Sequence, residues 1–373
     1  MSLLRVFVML PRNLDATRWK ERFAHGEVPD QSPYGYHFAE ALGAKVTYSR
    51  TTPTPFGPMG FLDKAVKRLL GFDIRHAWMN RDLLHSQNFD VVWTHTEYEH
   101  LAIQAVNFVL RKTGPPVIAQ SVWLIDEWHG LWGLKKLLYR LLLKRVTVAT
   151  FLSPENLAVA EKLHLAPRAE LLLFGISLDS YPIQPLRQKF DSSRPIRVLA
   201  LGNDRHRDWT TLFDAVGGRS EFELRIGSTK WPSKLVAPNV QVSAISQEQI
   251  RSSYEWADCV VVPLKKNLHA SGITAILEAV ACGVTVIATQ TGGLEAYFDD
   301  DAISYVKAGD AGALLRAINS LANDPRQAVQ FASKAQQQLV ERELTTQGFA
   351  QRHVRLSERL IKDLVARPNS FLK

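Results

Sequence analysis

A polar loop leading into a helix carries the residues whose types and spacing best suit chemistry. Ser271 and Gly272 follow a buried apolar run, and a helical pattern begins near Thr274. Glycine lets the backbone approach a ligand closely, and the first turn of a helix leaves its N–H groups without intrahelical partners. The N–H groups of Ile273 and Thr274 are therefore expected to contribute to an anion site that suits a diphosphate.

An acidic residue stands one turn into the same helix. Glu278 is placed to accept hydrogen bonds from the vicinal hydroxyls of a ribose or another sugar. A competing interpretation is that Ser271 only caps the helix and that Glu278 is solvated. The spacing alone leaves both interpretations open.

A second group of polar and aromatic residues lies in the first half of the chain. The segment Trp-Leu-Ile-Asp-Glu-Trp-His, residues 123–129, combines two carboxylates with two tryptophan rings. Tryptophan rings stack on sugars or lie at membrane interfaces. Asp126 and Glu127 are therefore candidates for polar contact with a bound sugar.

The elements that must position these residues follow one repeating pattern. Short apolar, β-branched runs alternate with helical patterns, which predicts parallel strands covered on both faces. The predicted strands are 3–10, 45–48, 91–94, 117–120, 147–151, 170–173, 197–201, 223–226, 240–243, 259–262, 285–289 and 303–306. The predicted helices include 36–42, 99–112, 155–163, 209–216, 247–256, 274–282 and 311–323. We expect an α/β fold with two Rossmann-like, doubly wound parallel-sheet domains facing a central cleft, where such folds bind ligands.

A segment with three prolines and little periodicity interrupts the pattern near residues 179–195. It predicts a first domain over 1–180, a linker over 181–195 and a second domain over 196–345. Residues 346–373 are predicted to form a C-terminal helix.

Composition sets broad limits on the class of protein. The chain has 373 residues, a hydrophobic share of 46% and a net charge of +8, which excludes a disordered protein and suits two domains. Only Cys259 and Cys282 are present, so no disulfide framework is expected and a reducing, cytoplasmic setting fits. The N-terminus is interpreted as a buried strand. The sequence has no run of about 18 apolar residues without a charge, so no membrane-spanning helix is expected.

The excess positive charge is concentrated in two amphipathic segments, residues 64–75 and 130–145. In the second, leucines fall on one arc of a helix, and Lys136, Arg140 and Lys144 lie opposite. One interpretation is an ordinary surface helix packed on a core. Another is peripheral docking on anionic lipid headgroups. Nucleic acid is not expected as a partner, because no nucleic-acid-binding motif accompanies the charge.

The stretch 263–295 contains Leu-Glu-Ala-Val-Ala-Cys-Gly and ends Thr-Gly-Gly-Leu-Glu. It resembles the donor-binding signature of retaining GT-B glycosyltransferases of family 4, group 1. In that family two glutamates eight positions apart bracket the helix start, and the second, matched by Glu278, binds the ribose hydroxyls. Ala270 stands at the position of the first, so His269 or Ser271 is expected to replace it toward the transferred sugar.

Residues 198–215, beginning Val-Leu-Ala-Leu-Gly-Asn-Asp-Arg-His-Arg, resemble the family segment in which an arginine and a lysine reach the donor diphosphate. The helix register places Arg207 at the lysine position and Asn203 at the arginine position. A guanidinium binds phosphate well. Arg205 is expected to supply the charge that Asn203 lacks.

The resemblance implies that the first domain binds the acceptor and that the last helix crosses back to it. Tyr34, Gly35 and Tyr36 are expected to stand where the family's glycine loop approaches the diphosphate, with a structural turn as the alternative. His95, at the end of a predicted strand, resembles the histidine that several relatives place beside the transferred sugar. A structural histidine is the alternative.

The implied activity is retaining transfer of a sugar from a UDP- or GDP-sugar to a hydroxyl of a glycan or lipid acceptor, in glycolipid or cell-envelope polysaccharide synthesis. No cofactor and no metal ion are expected, because positive protein groups stabilise the leaving diphosphate. The alternatives are a sugar-nucleotide epimerase and a non-catalytic sugar-nucleotide-binding protein. The expected location is the cytoplasm, with peripheral contact to the inner face of the membrane.

Overall fold

The computed structural model describes residues 3–186 and 190–366. The chain divides into two units that are each built around one parallel sheet. The first unit contains the chain up to residue 21, residues 31–172 and the chain from 349 onward. The second unit contains residues 22–30 and 173–348.

Six parallel strands form the sheet of the first unit, in the order β2-β1-β3-β4-β5-β6. They are β1 (Leu4–Met9), β2 (Ala44–Tyr48), β3 (Val91–Thr94), β4 (Val117–Ser121), β5 (Val148–Phe151) and β6 (Ala169–Leu171). Every residue of β3, β4 and β5 is buried. That burial explains their continuous apolar runs, since a parallel sheet is covered on both faces.

Nine helices accompany this sheet in the described part of the chain up to residue 172. They are α1 (Ala16–Ala24), α2 (Phe38–Ala41), α3 (Gly57–Leu70), α4 (Ile74–Met79), α5 (Arg81–Leu84), α6 (Glu97–Leu110), α7 (Leu124–Trp128), α8 (Gly133–Leu143) and α9 (Pro154–Lys162). The start of α6 shows how the sequence sets a boundary. Thr96 and Glu99 form a reciprocal capping box, which satisfies two backbone donors.

The second unit holds another six-stranded parallel sheet, in the order β12-β11-β10-β7-β8-β9. Its strands are β7 (Ile196–Leu201), β8 (Phe222–Gly227), β9 (Val240–Ser243), β10 (Cys259–Val262), β11 (Thr285–Thr289) and β12 (Ser304–Val306). The helices after them are α10 (Trp209–Val216), α11 (Gln247–Trp256), α12 (Ile273–Ala281), α13 (Ala311–Asn323), α14 (Pro325–Glu341) and α15 (Thr346–Ala366). Two apolar clusters cover the opposite faces of this sheet.

Helix α15 is counted with the first unit from Phe349 onward. Its Ser357 Oγ accepts a hydrogen bond of 2.9 Å from the indole N–H of Trp93, at the centre of the first sheet. His353 packs against the same ring, with 5.0 Å between ring centroids. The helix thus adds buried polar and aromatic groups to the core of the first unit.

All twelve predicted strands are present, with bounds within a few residues of those expected. The predicted α/β fold is confirmed, as are the seven predicted helices. The interpretation of residues 64–75 as one helix is wrong. Gly71, with a φ of +84°, ends α3, and the side chain of Asp73 caps the start of α4. Between them Phe72 is buried.

The order of strands fixes where side chains can meet in each sheet. In the second unit β7 and β10 are neighbours, and the chain leaves them toward opposite edges. In the first unit the same reversal occurs between β1 and β3. Ligands of such sheets bind beyond the carboxyl ends of these strands. Among the described residues, no helix combines the length and hydropathy needed to cross a bilayer.

Candidate functional site

A buried arginine lies at the strand reversal of the second unit. Arg207 is 6% exposed, and its Nε and Nη1 atoms have no hydrogen-bond partner among the described residues. Burial lowers the pKa of Arg207 to about 10, against the opposing effect of Asp204. The guanidinium is therefore still charged at neutral pH. A buried cation with unfilled donors is costly, which makes this position suited to an anion.

Two glycines make room for that guanidinium. Gly202 follows β7 with a φ of +138°, and Gly272 precedes α12 with a φ of +84°. A Cβ at either position would overlap the guanidinium of Arg207. Both positions also have backbone angles that side chains with a Cβ rarely adopt. The two glycines therefore hold Arg207 against the backbone at the ends of β7 and β10.

Helix α12 begins at this point without a side-chain cap. Its N-cap residue is Gly272, and no side chain accepts a hydrogen bond from the first turn. The competing prediction that Ser271 caps the helix is thus wrong, because Gly272 occupies the cap. Ser271 Oγ is buried and has no hydrogen-bond partner among the described residues. Ile273 does not contribute the expected N–H, because Ile273 N donates to Ala270 O at 3.2 Å. The first-turn N–H of Thr274, which lines the cleft, adds to the positive potential that Arg207 creates.

The loop before α12 is held in place from a neighbouring turn. Asn267 Oδ1 accepts the backbone N–H of Ser271 at 3.2 Å, and Asn267 N donates to Thr291 Oγ1 at 3.2 Å. A Cβ at Gly292 would lie 2.5 Å from Asn267 Oδ1. The Thr-Gly-Gly part of the sequence signature thus has a structural role, because it lets the two loops approach closely.

The position of the missing glutamate is closed to a long side chain. Ala270 is 2% exposed, belongs to the apolar core and has a φ of +53°. His269, next to it, is also buried, and its Nε2 lies 3.3 Å from Asp204 Oδ2. The structure therefore offers His269, paired with Asp204, where the sequence resemblance expects a carboxylate.

Glu278 is held by two tyrosines. The Tyr254 hydroxyl donates to Glu278 Oε2 at 2.8 Å, and Tyr181 hydrogen-bonds to the same carboxyl. Burial raises the pKa of Glu278 to about 7, although both hydrogen bonds oppose the rise. The expectation that Glu278 is simply solvated is therefore wrong. It lies in a prepared, low-dielectric position where its proton is gained or lost near neutral pH.

One cleft of about 290 Å³ joins these groups within the second unit. Gly202, Arg207 and Thr274 line it, and Glu278 lies in the same cleft. The remaining wall is both apolar and polar, formed by Leu201, Ile245, Ile250, Ala244, Ala275, Asn203, Gly227, Ser228 and Thr229. A cation, an acidic group and an apolar shelf in one cleft match the parts of a nucleotide.

The two other residues proposed for the diphosphate are placed differently from Arg207. Asn203 Oδ1 accepts hydrogen bonds from Thr229 N at 2.7 Å and Ser228 Oγ at 3.1 Å. Its carbonyl is thus used to fix the loop after β8. Arg205 is exposed and does not line the cleft. Arg207 is the cation that the fold brings to the start of α12.

In the first unit, His95 follows β3 and is buried among aromatic rings. Its Nδ1 lies 3.1 Å from the hydroxyl of Tyr36, and the Tyr34 ring stacks on it with 3.2 Å between ring centroids. Burial, with a smaller effect of His353, holds the pKa of His95 well below its usual value. The imidazole is therefore neutral at physiological pH.

The turn that carries these tyrosines has two residues with positive φ, Tyr34 at +62° and Gly35 at +70°. Gly35 N donates to Ser32 O at 3.2 Å, so this N–H is used inside the turn. Tyrosine rarely adopts such a backbone, and the cost is offset by its stacking on His95. The turn thus holds an aromatic ring over the imidazole.

Asp126 and Glu127 lie in α7 and are half-buried. The loop before α7 is fixed by a carboxylate that the motif search did not single out. Glu97 Oε2 accepts the N–H groups of Val122 at 3.0 Å and Trp123 at 3.3 Å. Burial raises the pKa of Glu97 to about 7.

The two basic segments form one continuous surface, which we call the basic apolar surface. The Tyr139 hydroxyl of α8 donates to Leu70 O at the end of α3, at 2.9 Å. Large apolar side chains on and beside these helices are more than half exposed: Phe56, Met59, Phe61, Leu62, Leu69, Trp132, Leu134, Leu137 and Leu141. The lysines and arginines of both helices flank them. Of the leucine arc of 130–145, Leu142 is buried and Leu138 is half-buried, whereas Leu134, Leu137 and Leu141 are exposed.

Several residues of the site escaped the motif search. Tyr254 and Tyr181 lie far from Glu278 in sequence, and Asp204 approaches His269 across 65 positions. Strand order brings them together, and no local spacing indicates it. The order of elements gave a weak signal for Tyr254. It lies in α11, the strand β10 follows, and the next helix, α12, carries Glu278.

Two six-stranded parallel sheets, each with a reversal of strand order, are typical of the GT-B fold, which this chain has. Residues 234–338 match the family model for group 1 glycosyl transferases. This match confirms the resemblance found in the signature around Glu278, and it covers the segment that carries that signature.

Solved structures support the fold over nearly the whole chain. Sucrose-phosphate synthase from Thermosynechococcus elongatus superposes with a TM-score of 0.67 at 17% identity, covering 96% of this chain and 100% of that one. Anabaena HepE, solved with UDP and glucose, superposes with a TM-score of 0.63 at 13% identity, covering 94% of this chain and 98% of that one. A UDP-forming α,α-trehalose-phosphate synthase from Burkholderia vietnamiensis superposes with a TM-score of 0.63 at 13% identity. The match covers 96% of this chain and 99% of that one. A sequence search of curated proteins finds no match.

Proposed function

We propose that this protein is a retaining glycosyltransferase that uses a UDP-sugar as donor. The observation that carries the proposal is Arg207, a buried guanidinium with unfilled donors at the uncapped start of α12. A diphosphate supplies acceptors for this guanidinium and for the first-turn N–H of Thr274. The family match and the UDP complexes of a structure with the same fold support this donor.

The cleft accounts for each part of the donor. Leu201 and the isoleucines of its wall provide an apolar shelf for a base. Glu278, oriented by Tyr254, accepts hydrogen bonds from the ribose. Arg207 and the Thr274 N–H of α12 take the diphosphate. These residues lie in one cleft, so a single extended nucleotide can contact all of them.

In the reaction that we propose, the bond between the anomeric carbon and the diphosphate oxygen breaks. A bond forms from an acceptor hydroxyl on the same face of the sugar, and the hydroxyl proton passes to the departing diphosphate. Negative charge grows on that leaving group. Arg207 and the start of α12 stabilise it there, and this is where most of the catalytic effect arises.

Two histidines are proposed for the transferred sugar. His269, fixed by Asp204, stands in for the family's first glutamate beside Ala270. His95 is the candidate from the first unit, where it is neutral and oriented by Tyr36. A neutral imidazole donates and accepts hydrogen bonds, which suits contact with sugar hydroxyls.

We infer a lipid-linked acceptor from the basic apolar surface. Exposed leucines and aromatics flanked by lysines and arginines suit the interface of an anionic membrane. An apolar groove of about 320 Å³ lies between α3 and α4 on the same unit, lined by Met59, Leu62, Val66, Trp78 and Met79. The location that we propose is the cytoplasmic face of such a membrane, in glycolipid or cell-envelope glycan synthesis. Buried cysteines that form no disulfide, Cys259 and Cys282, fit this reducing setting.

The donor site is tested by calorimetry with UDP-glucose, comparing Arg207→Ala with Arg205→Ala as the matched control. Loss of charged hydrogen bonds worth about 1.5–3 kcal/mol predicts affinity about 10- to 100-fold lower for Arg207→Ala. Arg205→Ala should change the affinity for UDP-glucose little, because Arg205 is exposed and lies outside the cleft. Equal affinities in the two variants would remove Arg207 from the site. Thermal-shift screening with UDP, GDP and ADP identifies the base.

Transfer is tested with labelled UDP-sugars and a lipid fraction. Label that moves to lipid, with the anomeric configuration kept, supports the proposal. Binding without transfer or hydrolysis would instead indicate a non-catalytic binding protein, and interconversion of the donor sugar an epimerase.

The membrane contact is tested by flotation with phosphatidylglycerol vesicles against vesicles of phosphatidylcholine alone. Wild type should float only with the anionic vesicles. Leu137→Glu combined with Leu141→Glu should remain in the soluble fraction, whereas Val236→Glu, at an exposed position of the second unit, should float as wild type. Wild type that stays soluble in both cases would overturn the membrane assignment.

A further inference from the structure

Two histidines and an aspartate converge beside the proposed diphosphate position. Asp204 Oδ1 lies 3.1 Å from His206 Nδ1, and Asp204 Oδ2 lies 3.3 Å from His269 Nε2. One ligand atom from each of the three residues lies within 4.8 Å of the others. Asp204 and His206 follow β7, and His269 precedes α12, so the strand reversal assembles the cluster.

These distances suit a small divalent cation. Two ligands about 2.1 Å from a metal at the tetrahedral angle stand roughly 3.4 Å apart. The separations of His206 and His269 from Asp204 are close to that value, each through a different oxygen of the carboxylate.

The cluster is also firmly placed. His269 is almost fully buried, and Asp204 and His206 are mostly so. The backbone N–H of His206 donates to Asp204 Oδ1 at 2.7 Å, and Arg207 N donates to Asp204 O at 3.1 Å. This tight turn directs the Asp204 carboxylate toward both imidazoles. A site with preset ligands binds a metal ion at a lower cost in side-chain entropy.

We propose that Asp204, His206 and His269 bind one divalent transition-metal ion of the Zn²⁺ or Co²⁺ type. Two imidazoles with one carboxylate favour such ions over Mg²⁺ and Ca²⁺, which prefer oxygen ligands. Three protein ligands leave a position for water or a ligand oxygen. Arg207 follows His206 directly in sequence, so the ion stands next to the cation that we assign to the diphosphate. This inference goes beyond the proposed function and does not depend on it.

The experiment uses metal-free, full-length protein without a histidine tag. Titration with Zn²⁺ in a calorimeter should give one equivalent, and Co²⁺ should give the visible absorption of a low-symmetry site. Loss of even an indirect supporting group typically costs about 10- to 100-fold in metal affinity. Asp204→Asn, His206→Ala and His269→Ala should each lose at least that much. His129→Ala, at an exposed histidine, should bind as wild type.

Circular dichroism shows that each variant is folded. Of the two histidines, His206 is the less buried, so His206→Ala loses less packing than His269→Ala. The proposal would be overturned if wild type does not bind Zn²⁺. It would also be overturned if His206→Ala and His129→Ala bind Zn²⁺ with equal affinity. Arg207→Ala separates the two proposals, because it should lose UDP-glucose and keep Zn²⁺. Nucleotide binding without metal binding would leave the donor site intact and refute only the metal site.

Discussion

The hydroxyl of Tyr254 donates a hydrogen bond of 2.8 Å to Oε2 of Glu278. The same hydroxyl lies 3.3 Å from Ala275 O, one turn earlier in α12. Tyr254 belongs to α11 and Glu278 to α12, so one helix orients the functional group of the next. The carboxylate is thus positioned before a ligand arrives, which reduces the cost of ordering it on binding.

Replacing Tyr254 by Phe removes this hydroxyl and keeps the ring. We expect the preference for UDP over 2′-deoxy-UDP to fall severalfold, because the carboxylate loses the group that aims it at the ribose. Glu278→Ala should abolish the preference. Calorimetry with both nucleotides measures it. Tyr305→Phe is the control, because the Tyr305 hydroxyl donates to Phe298 O outside the cleft. An unchanged preference in Tyr254→Phe would show that Tyr254 does not orient Glu278.

The affinity for UDP-glucose should rise with pH. Burial raises the pKa of Glu278 to about 7, and donor hydroxyls from a ribose favour the ionised carboxylate. Because the ionised fraction grows roughly tenfold between pH 6 and 8 for such a pKa, the affinity should grow by about the same factor. The diphosphate of UDP-glucose does not titrate in this range. Glu278→Gln should bind with no such dependence, and a parallel slope in both proteins would contradict the assignment.

Gly202→Ala should weaken UDP-glucose binding by about tenfold, the equivalent of roughly 1.4 kcal/mol. A Cβ there overlaps the guanidinium of Arg207 and must displace it. Gly218→Ala is the control for a positive φ without a steric clash, because its φ is +74° and no atom lies within 4 Å of the added Cβ. Equal affinities in the two variants would show that Gly202 does not position Arg207.

Glu97→Gln tests the buried carboxyl of the first unit. The pKa of Glu97 is raised by burial from 4.5 to about 7, so the folded protein holds this proton where the unfolded chain releases it. Wild-type stability is therefore lost as pH rises from about 4.5 to about 7, by up to about 3 kcal/mol for this group. Glu97→Gln lacks that loss. Urea unfolding measures the free energy of unfolding of both proteins at pH 5 and pH 8. Relative to wild type, this free energy should be higher for the variant at pH 8 than at pH 5. The same difference at both pH values would refute the raised pKa.

Much of the fold could be predicted because its signals are local. Buried parallel strands are continuous apolar runs, as in β10, and the turn signals between them are short. Residues 64–75 were misjudged for a local reason as well. Gly71 breaks the helix there, and hydrophobic periodicity continued across it.

The sequence by itself determined the α/β alternation, the glycine before α12 and the spacing from Gly272 to Glu278, because each depends on a few consecutive residues. Only the tertiary structure decided which arginine is buried, which tyrosines hold Glu278 and that Asp204 meets His269. Those relationships depend on the order of strands in the sheet, which sets β7 beside β10 across more than fifty intervening residues. Burial and non-local contacts are properties of that packing, so short-range spacing carries no record of them.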